Sequence, residues 1–229
     1  MSRDYNNGER NKLALNIYFG MRAFVALSVF VFLFYGEWES AVSAVFILLL
    51  MITPSFLRMQ YRFYMPFELD FAIVVFIFLS LFLGSLNDFY EKFYWWDTVL
   101  HFQSGILLGV VGFVMVYILN ARRSDKLTMS PGFISVFAVC FSLALSVVWE
   151  IYEYAGDTLF GYTMQENGLP DTMWDFIFNG AGAIIVATIG YYWMRRRQKI
   201  PFAPRILRKF SVDHNNDSEQ VGQQTLTKM

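Results

Sequence analysis

Charged side chains are scarce in this chain. Asp, Glu, Lys and Arg make up 16% of its 229 residues, against about 25% in an ordinary soluble domain. Cysteine is nearly absent. Cys140 stands alone inside an apolar run, which excludes a disulfide framework and a thiolate metal site. The chain has no internal repeat. Its first twelve residues are polar, and the apolar run after them lacks a small-residue cleavage site, so that run reads as a permanent anchor. The most telling absence is local: no Lys or Arg occurs between Lys126 and Arg195. Acidic residues in that stretch have no basic neighbour in sequence.

Apolar residues, by contrast, make up 56% of the chain and aromatics 19%. About twenty apolar residues cross a bilayer as a helix. Six segments qualify, at 13–35, 41–57, 67–86, 97–119, 132–154 and 172–194. The expected fold is therefore all-α, a polytopic membrane protein with six transmembrane helices in a bundle over 13–194. A short N-terminal segment, 1–12, precedes it. A polar tail, 195–229, follows and is expected to be disordered. Pro66, Pro131 and Pro170 each precede a segment, as at helix starts. Arg22, inside the first segment, is expected to snorkel to the inner interface.

Lys and Arg in short loops set orientation. With six helices, 17 of the 18 basic residues fall on one side, and only Lys92 falls on the other. Both termini are thus expected in the cytoplasm of a multi-pass inner-membrane protein. Eleven of the nineteen acids fall outside or at outer helix ends, giving a formal outer charge of −10 once Lys92 is counted. Such a surface attracts cations.

Six ionisable residues form three clusters at the outer ends of the last three helices: Asp97 with His101, Glu150 with Glu153, and Asp171 with Asp175. Asp97 and His101 are one helical turn apart and share a face with Gly105 and Gly109, so the polar stripe faces other helices. Glu150 and Glu153 are three apart and are expected to end the fifth helix, where the dipole disfavours anions. Asp171, Asp175 and Asn179 repeat every four residues, and Gly182 continues that stripe. Burying such groups unpaired costs several kcal/mol. They require a bound ion, shared protons or a watery pocket. Five carboxylates and one imidazole suit a divalent metal, whether Zn, Mn, Mg, Ca or Fe. All six are candidate ligands. Glu153 and Asp175 are candidate catalytic residues, with Glu153 as a general base. Each residue also has a simpler explanation. Asp97 and Asp171 can be N-caps, His101 can be a hydrogen-bonded core histidine, and Glu153 can reach interfacial water. Trp95, Trp96, Trp149 and Trp174 read as an aromatic belt at the outer interface.

The ordered set Asp97-x3-His101-x3-Gly105, Glu150-x2-Glu153 and Asp171-Thr172-x2-Asp175 resembles the YjdF-like bacterial inner-membrane proteins. The final segment, Asp175-x3-Asn179-x2-Gly182-Ala183, is similar to the last helix of VanZ-like proteins. Those share an earlier Asp-x3-His pair and an isolated Glu. This chain has Asp171 where an Arg commonly precedes the last Asp of that family. The likeness covers residues 67 to 194 and implies a bacterial cytoplasmic membrane and a shared polar pocket.

Three functions compete. The first is a hydrolase or transferase acting on a lipid or lipid-linked substrate at an outward-facing metal site. The second is a metal-ion or proton-coupled transporter, for which Glu68 and Asp70 would be the inner gate. The third is a non-catalytic protein that binds a lipid, drug or protein. Membrane lipids are expected partners, and nucleic acid is not. The sequence leaves the oligomeric state open.

Overall fold

The computed structural model describes residues 2–60, 67–122, 129–161, 163–165 and 168–197. Every long element among them is a helix. These are α1 (Ser2–Tyr35), α2 (Trp38–Gln60), α3 (Phe67–Ile77, prolonged as a π-helix over Phe78–Ser85), the single turn α4 (Phe89–Lys92), α5 (Trp96–Arg122), α6 (Pro131–Phe160) and α7 (Leu169–Arg197). Six of them are long and apolar enough to cross a membrane, as hydropathy predicts. Lipid offers the backbone no hydrogen-bond partners, so each crossing must satisfy its own.

Helix ends differ from the expected ones where polar residues continue a helix beyond the apolar run. α1 already begins at Ser2, and α6 continues past Tyr154 to Phe160. Gly161, in the left-handed region at φ 71, terminates α6. Glu150 and Glu153 therefore stand two to three turns inside α6 and do not end it. Ser130 caps the start of α6, accepting from the Phe133 N–H at 3.2 Å, and Pro131 fills the first helical position. α5 and α7 start at Trp96 and Leu169, so Asp97 and Asp171 lie within first turns and are not capping residues. From residue 198 on, the expected tail lies outside the described residues.

The helices pack as two halves. α1, α2 and α3 enclose an apolar core of Val25, Ile47, Met51, Val74 and Phe82. Within it lies a polar cluster. The Tyr18 hydroxyl donates to Asp70 Oδ2 at 3.0 Å and lies 2.7 Å from Ser55 Oγ. Arg22 does not snorkel. Its guanidinium stacks over the Tyr18 ring at 4.0 Å and donates to the Met51 carbonyl and, at 3.2 Å, to Ser55. Pro54 lies inside α2. Lacking an N–H, it cannot donate to the Leu50 carbonyl one turn back.

α5, α6 and α7 form the second half, and its helices approach more closely. A Cβ on Gly105 would strike the backbone carbonyl of Asn179, and one on Gly182 would strike that of Phe102. α5 and α7 therefore touch backbone to backbone, as small residues allow in membranes. At the far end from the acidic residues, Phe113, Val116, Ile134, Ala138 and Met194 fill the space between the three helices. α3 joins the halves. Its π-helical part bonds i to i+5, as from the Leu86 N–H to the Leu81 carbonyl at 3.0 Å, and side-chain donors also reach its carbonyls: Trp96 Nε1 to that of Leu79 at 3.3 Å and Asn87 Nδ2 to that of Phe82 at 2.6 Å.

Candidate metal centre

The close α5–α7 seam sets the depth of every polar group beside it. Asn179 is fully buried there. Its Nδ2 donates to Ser104 Oγ at 2.9 Å, and its Oδ1 accepts from Ser142 Oγ at 3.0 Å. Ser104 in turn donates to the His101 carbonyl at 2.8 Å. One side chain thus ties α5, α6 and α7 together a single turn from the acidic cluster. The stripe Asp171, Asp175, Asn179 placed it on the right face, but its linking role depends on two serines from other helices.

One turn nearer the polar end, the His101 ring lies buried among carboxylates from all three helices. Its Nε2 is 3.5 Å from Asp97 Oδ1 and 3.9 Å from Asp175 Oδ1. Its Nδ1 is 3.9 Å from Glu150 Oε1. His101, Glu150 and Asp175 are buried, and Asp97 is half-buried. No hydrogen bond of normal geometry reaches His101 Nδ1 or either Glu150 carboxylate oxygen, although the Thr172 and Gln165 side chains approach that carboxylate. Thr172 and Gln165, beside Glu150, bond to each other at 3.0 Å. Gln165 is held there by Asp157, whose carboxylate accepts from the Met164 and Gln165 N–H groups at 2.7 and 2.9 Å.

One ligand atom from each of Asp97, His101 and Asp175 lies within 4.8 Å of the others. Two ligands on one ion are at most twice a bond length apart, about 4.0–5.2 Å for bonds of about 2.0–2.6 Å. The three can therefore hold one divalent ion. Oxygen and imidazole donors suit Zn, Mn, Fe, Mg or Ca.

The remaining expected ligands stand apart from this group. Glu150 meets the opposite nitrogen of His101, the place of a carboxylate that orients a ligating imidazole. Glu153 is buried, and its Oε1 accepts from Trp149 Nε1 at 2.8 Å. It does not reach interfacial water. Asp171 is half-buried in the first turn of α7, outside the group of three. Trp149 and Trp96 thus do more than line an interface, since each donates an indole N–H inward.

Tyr90 escaped the sequence reading because it lies in the short turn α4, outside any periodic stripe. Its ring packs against Gly84, where an added Cβ would meet it at 2.5 Å. Burial first, then the negative charges of Asp97, Glu153 and Asp175, push its phenol well above the usual tyrosine range. Tyr90 is a neutral hydroxyl beside an acidic cluster.

Residues 17–196 match the family described as "Predicted membrane protein (DUF2238)", which includes the YjdF-like proteins. An uncharacterized protein of Thermotoga maritima is 31% identical over 115 residues, covering 50% of this chain and 57% of that protein. The match thus spans little more than half of that relative. No solved structure matches. Nothing in these likenesses supports the VanZ-like resemblance.

Proposed function

This chain belongs to the DUF2238 family of predicted membrane proteins, and from that premise we propose that it holds a divalent metal ion between Asp97, His101 and Asp175 and uses it on a lipid or lipid-linked substrate. The carrying observation is the His101 ring, set between Asp97 and Asp175 on one nitrogen and Glu150 on the other. The chain supplies no Lys or Arg between residues 126 and 195 to balance these charges. A divalent ion would supply that balance.

In this reading the cluster faces outward from a bacterial inner membrane, as the distribution of basic residues favours. The ion would polarise an ester or phosphoester oxygen. Glu153, which engages Trp149 and is not one of the three ligands, would take a proton from water. That water would attack the substrate, and the departing oxygen would leave with the proton. Asp175 would hold the ion in line. The apolar plug of Phe113, Val116, Ile134, Ala138 and Met194 offers no polar route along the other half of α5–α7. Asp70, moreover, is bonded to Tyr18 and Ser55. Both observations favour an enzyme over a carrier.

Elemental analysis of the purified full-length protein tests this reading. About one divalent ion per chain is expected, lost in His101→Ala and Asp175→Ala. If the wild type neither retains nor takes up such an ion, the proposal fails.

A further inference from the structure

The acidic cluster opens into a cleft of about 350 Å³ between the two halves of the protein. Asp97 and His101 stand at one end of it. Leu108 and Val111 of α5 line the rest, opposite Ile73 and Phe76 of α3. About four helical turns separate Asp97 from Val111, roughly 21 Å along the helix. The volume lies at the low end of small-molecule sites, roughly 300–1,000 Å³. It is too small for a whole two-chain lipid and long enough for one chain.

The hydroxyls in the cleft mark where a head group would sit. Ser80 and Ser104 donate to carbonyls of their own helices at 2.8 Å. Ser146 does not. It is buried, lines the cleft one turn from Glu150, and its hydroxyl has no hydrogen-bond partner. A buried hydroxyl without a partner costs about 1–3 kcal/mol. An oxygen of a ligand would satisfy it. The cleft is therefore polar near the cluster and hydrocarbon-lined beyond it.

We infer that this cleft seats a single-chain amphiphile, its oxygen-bearing head at Asp97, His101 and Ser146 and its one hydrocarbon chain running between α3 and α5 toward Val111. This names the substrate class of the proposed function, and the role of the head rests on that reading. The seating of the chain rests on the cleft itself. A chain leaving bilayer lipid gains little from desolvation, because lipid tails are already apolar. The cleft consequently selects by shape, a single straight or isoprenoid chain.

Photo-crosslinking of full-length protein in lipid nanodiscs tests this. The probes are a C16 alcohol and farnesol, each with a diazirine at the chain end, and labelled residues are mapped by mass spectrometry. Their uncharged heads let the chain bind whether or not metal is present. Labels are expected on Val111, Leu108 and Ile73, at roughly tenfold the level on lipid-facing Val148 and Ile151. Leu108→Trp should cut cleft labelling roughly tenfold, the scale of overfilling a packed site. Val111→Phe serves as a second, smaller obstruction, and α-helical content and monodispersity confirm that both variants fold. The stronger of the two probes identifies the chain as straight or isoprenoid. Equal labelling of cleft and lipid-facing residues, unchanged in both folded variants, overturns the inference. Cleft labelling in a protein that takes up no metal sinks the proposed function and leaves the chain site standing.

Discussion

Each half of this protein buries a polar cluster in an apolar bundle, and among the described residues only the first cluster includes an Arg or Lys. In α1–α3, Arg22 stacks on Tyr18 and donates to Ser55 and the Met51 carbonyl, while Asp70 accepts from Tyr18 and Ser55. In α5–α7, Asp97, Glu150 and Asp175 surround one imidazole, and Glu153 lies near them on α6. The first cluster is internally compensated and reads as architecture. The second has more acid than its own residues can balance, and its helices are pressed together by glycine seams that hold the excess in place. A bundle built only for stability would favour the first arrangement, because uncompensated buried charge costs several kcal/mol.

The glycine seam gives the largest way to break this contrast. Gly105→Leu should separate α5 from α7 and abolish stable folding, and Gly105→Ala should cost about 3 kcal/mol, at the upper end for overpacking. Gly20→Ala in α1, where an added Cβ meets nothing within 4 Å, should be neutral or slightly stabilising. Thermal unfolding in detergent compares the three. In the compensated half, Arg22→Met should cost about 2 kcal/mol, since it removes the bonds to Ser55 and the Met51 carbonyl and the stacking on Tyr18.

The acidic half should respond to metal with a change of sign. In metal-stripped protein, Asp175→Asn removes a carboxylate from a crowded cluster and should raise the unfolding temperature. With an ion at a hundred times its dissociation constant, the wild type should gain about 2.7 kcal/mol and the variant should not. A thermal shift series with and without chelator reads both effects. Asn179→Ala should cost about 2 kcal/mol in either condition, because it removes both side-chain bonds that tie α7 to α5 and α6 and leaves a void at a fully buried position.

The smallest effect concerns Tyr90. Its phenol is pushed up in the folded protein relative to an ordinary tyrosine at 10.0. The folded state thus holds the proton more tightly than the unfolded state. That contribution is complete below pH 10 and is lost progressively as pH rises above it. Tyr90→Phe should flatten the stability profile above pH 10 and leave it unchanged near neutrality.

Much of the architecture was legible in the sequence because lipid is a demanding solvent. Six apolar stretches had to be helices, and the stripes Asp97-His101-Gly105 and Asp175-Asn179-Gly182 had to face protein. Other features depend on neighbours distant in sequence. Hydropathy marks where lipid ends, not where a helix ends, so α6 ran six residues past its expected stop. Arg22 turned inward because the Tyr18 ring, Ser55 and the Met51 carbonyl offer it partners inside the bundle. Equivalent-looking acids separated into different settings once assembled. Asp97 and Asp175 share one nitrogen of His101, Glu150 faces the other, and Trp149 occupies an oxygen of Glu153. Spacing alone could not distinguish them.

X-ray absorption on the metal-loaded full-length protein is the most direct test of the central claim. One ion should be coordinated by a single imidazole nitrogen and carboxylate oxygens at about 2.0–2.6 Å, with the nitrogen signal lost in His101→Ala. An ion bound without any imidazole in wild-type protein, or no bound ion at all, would contradict it.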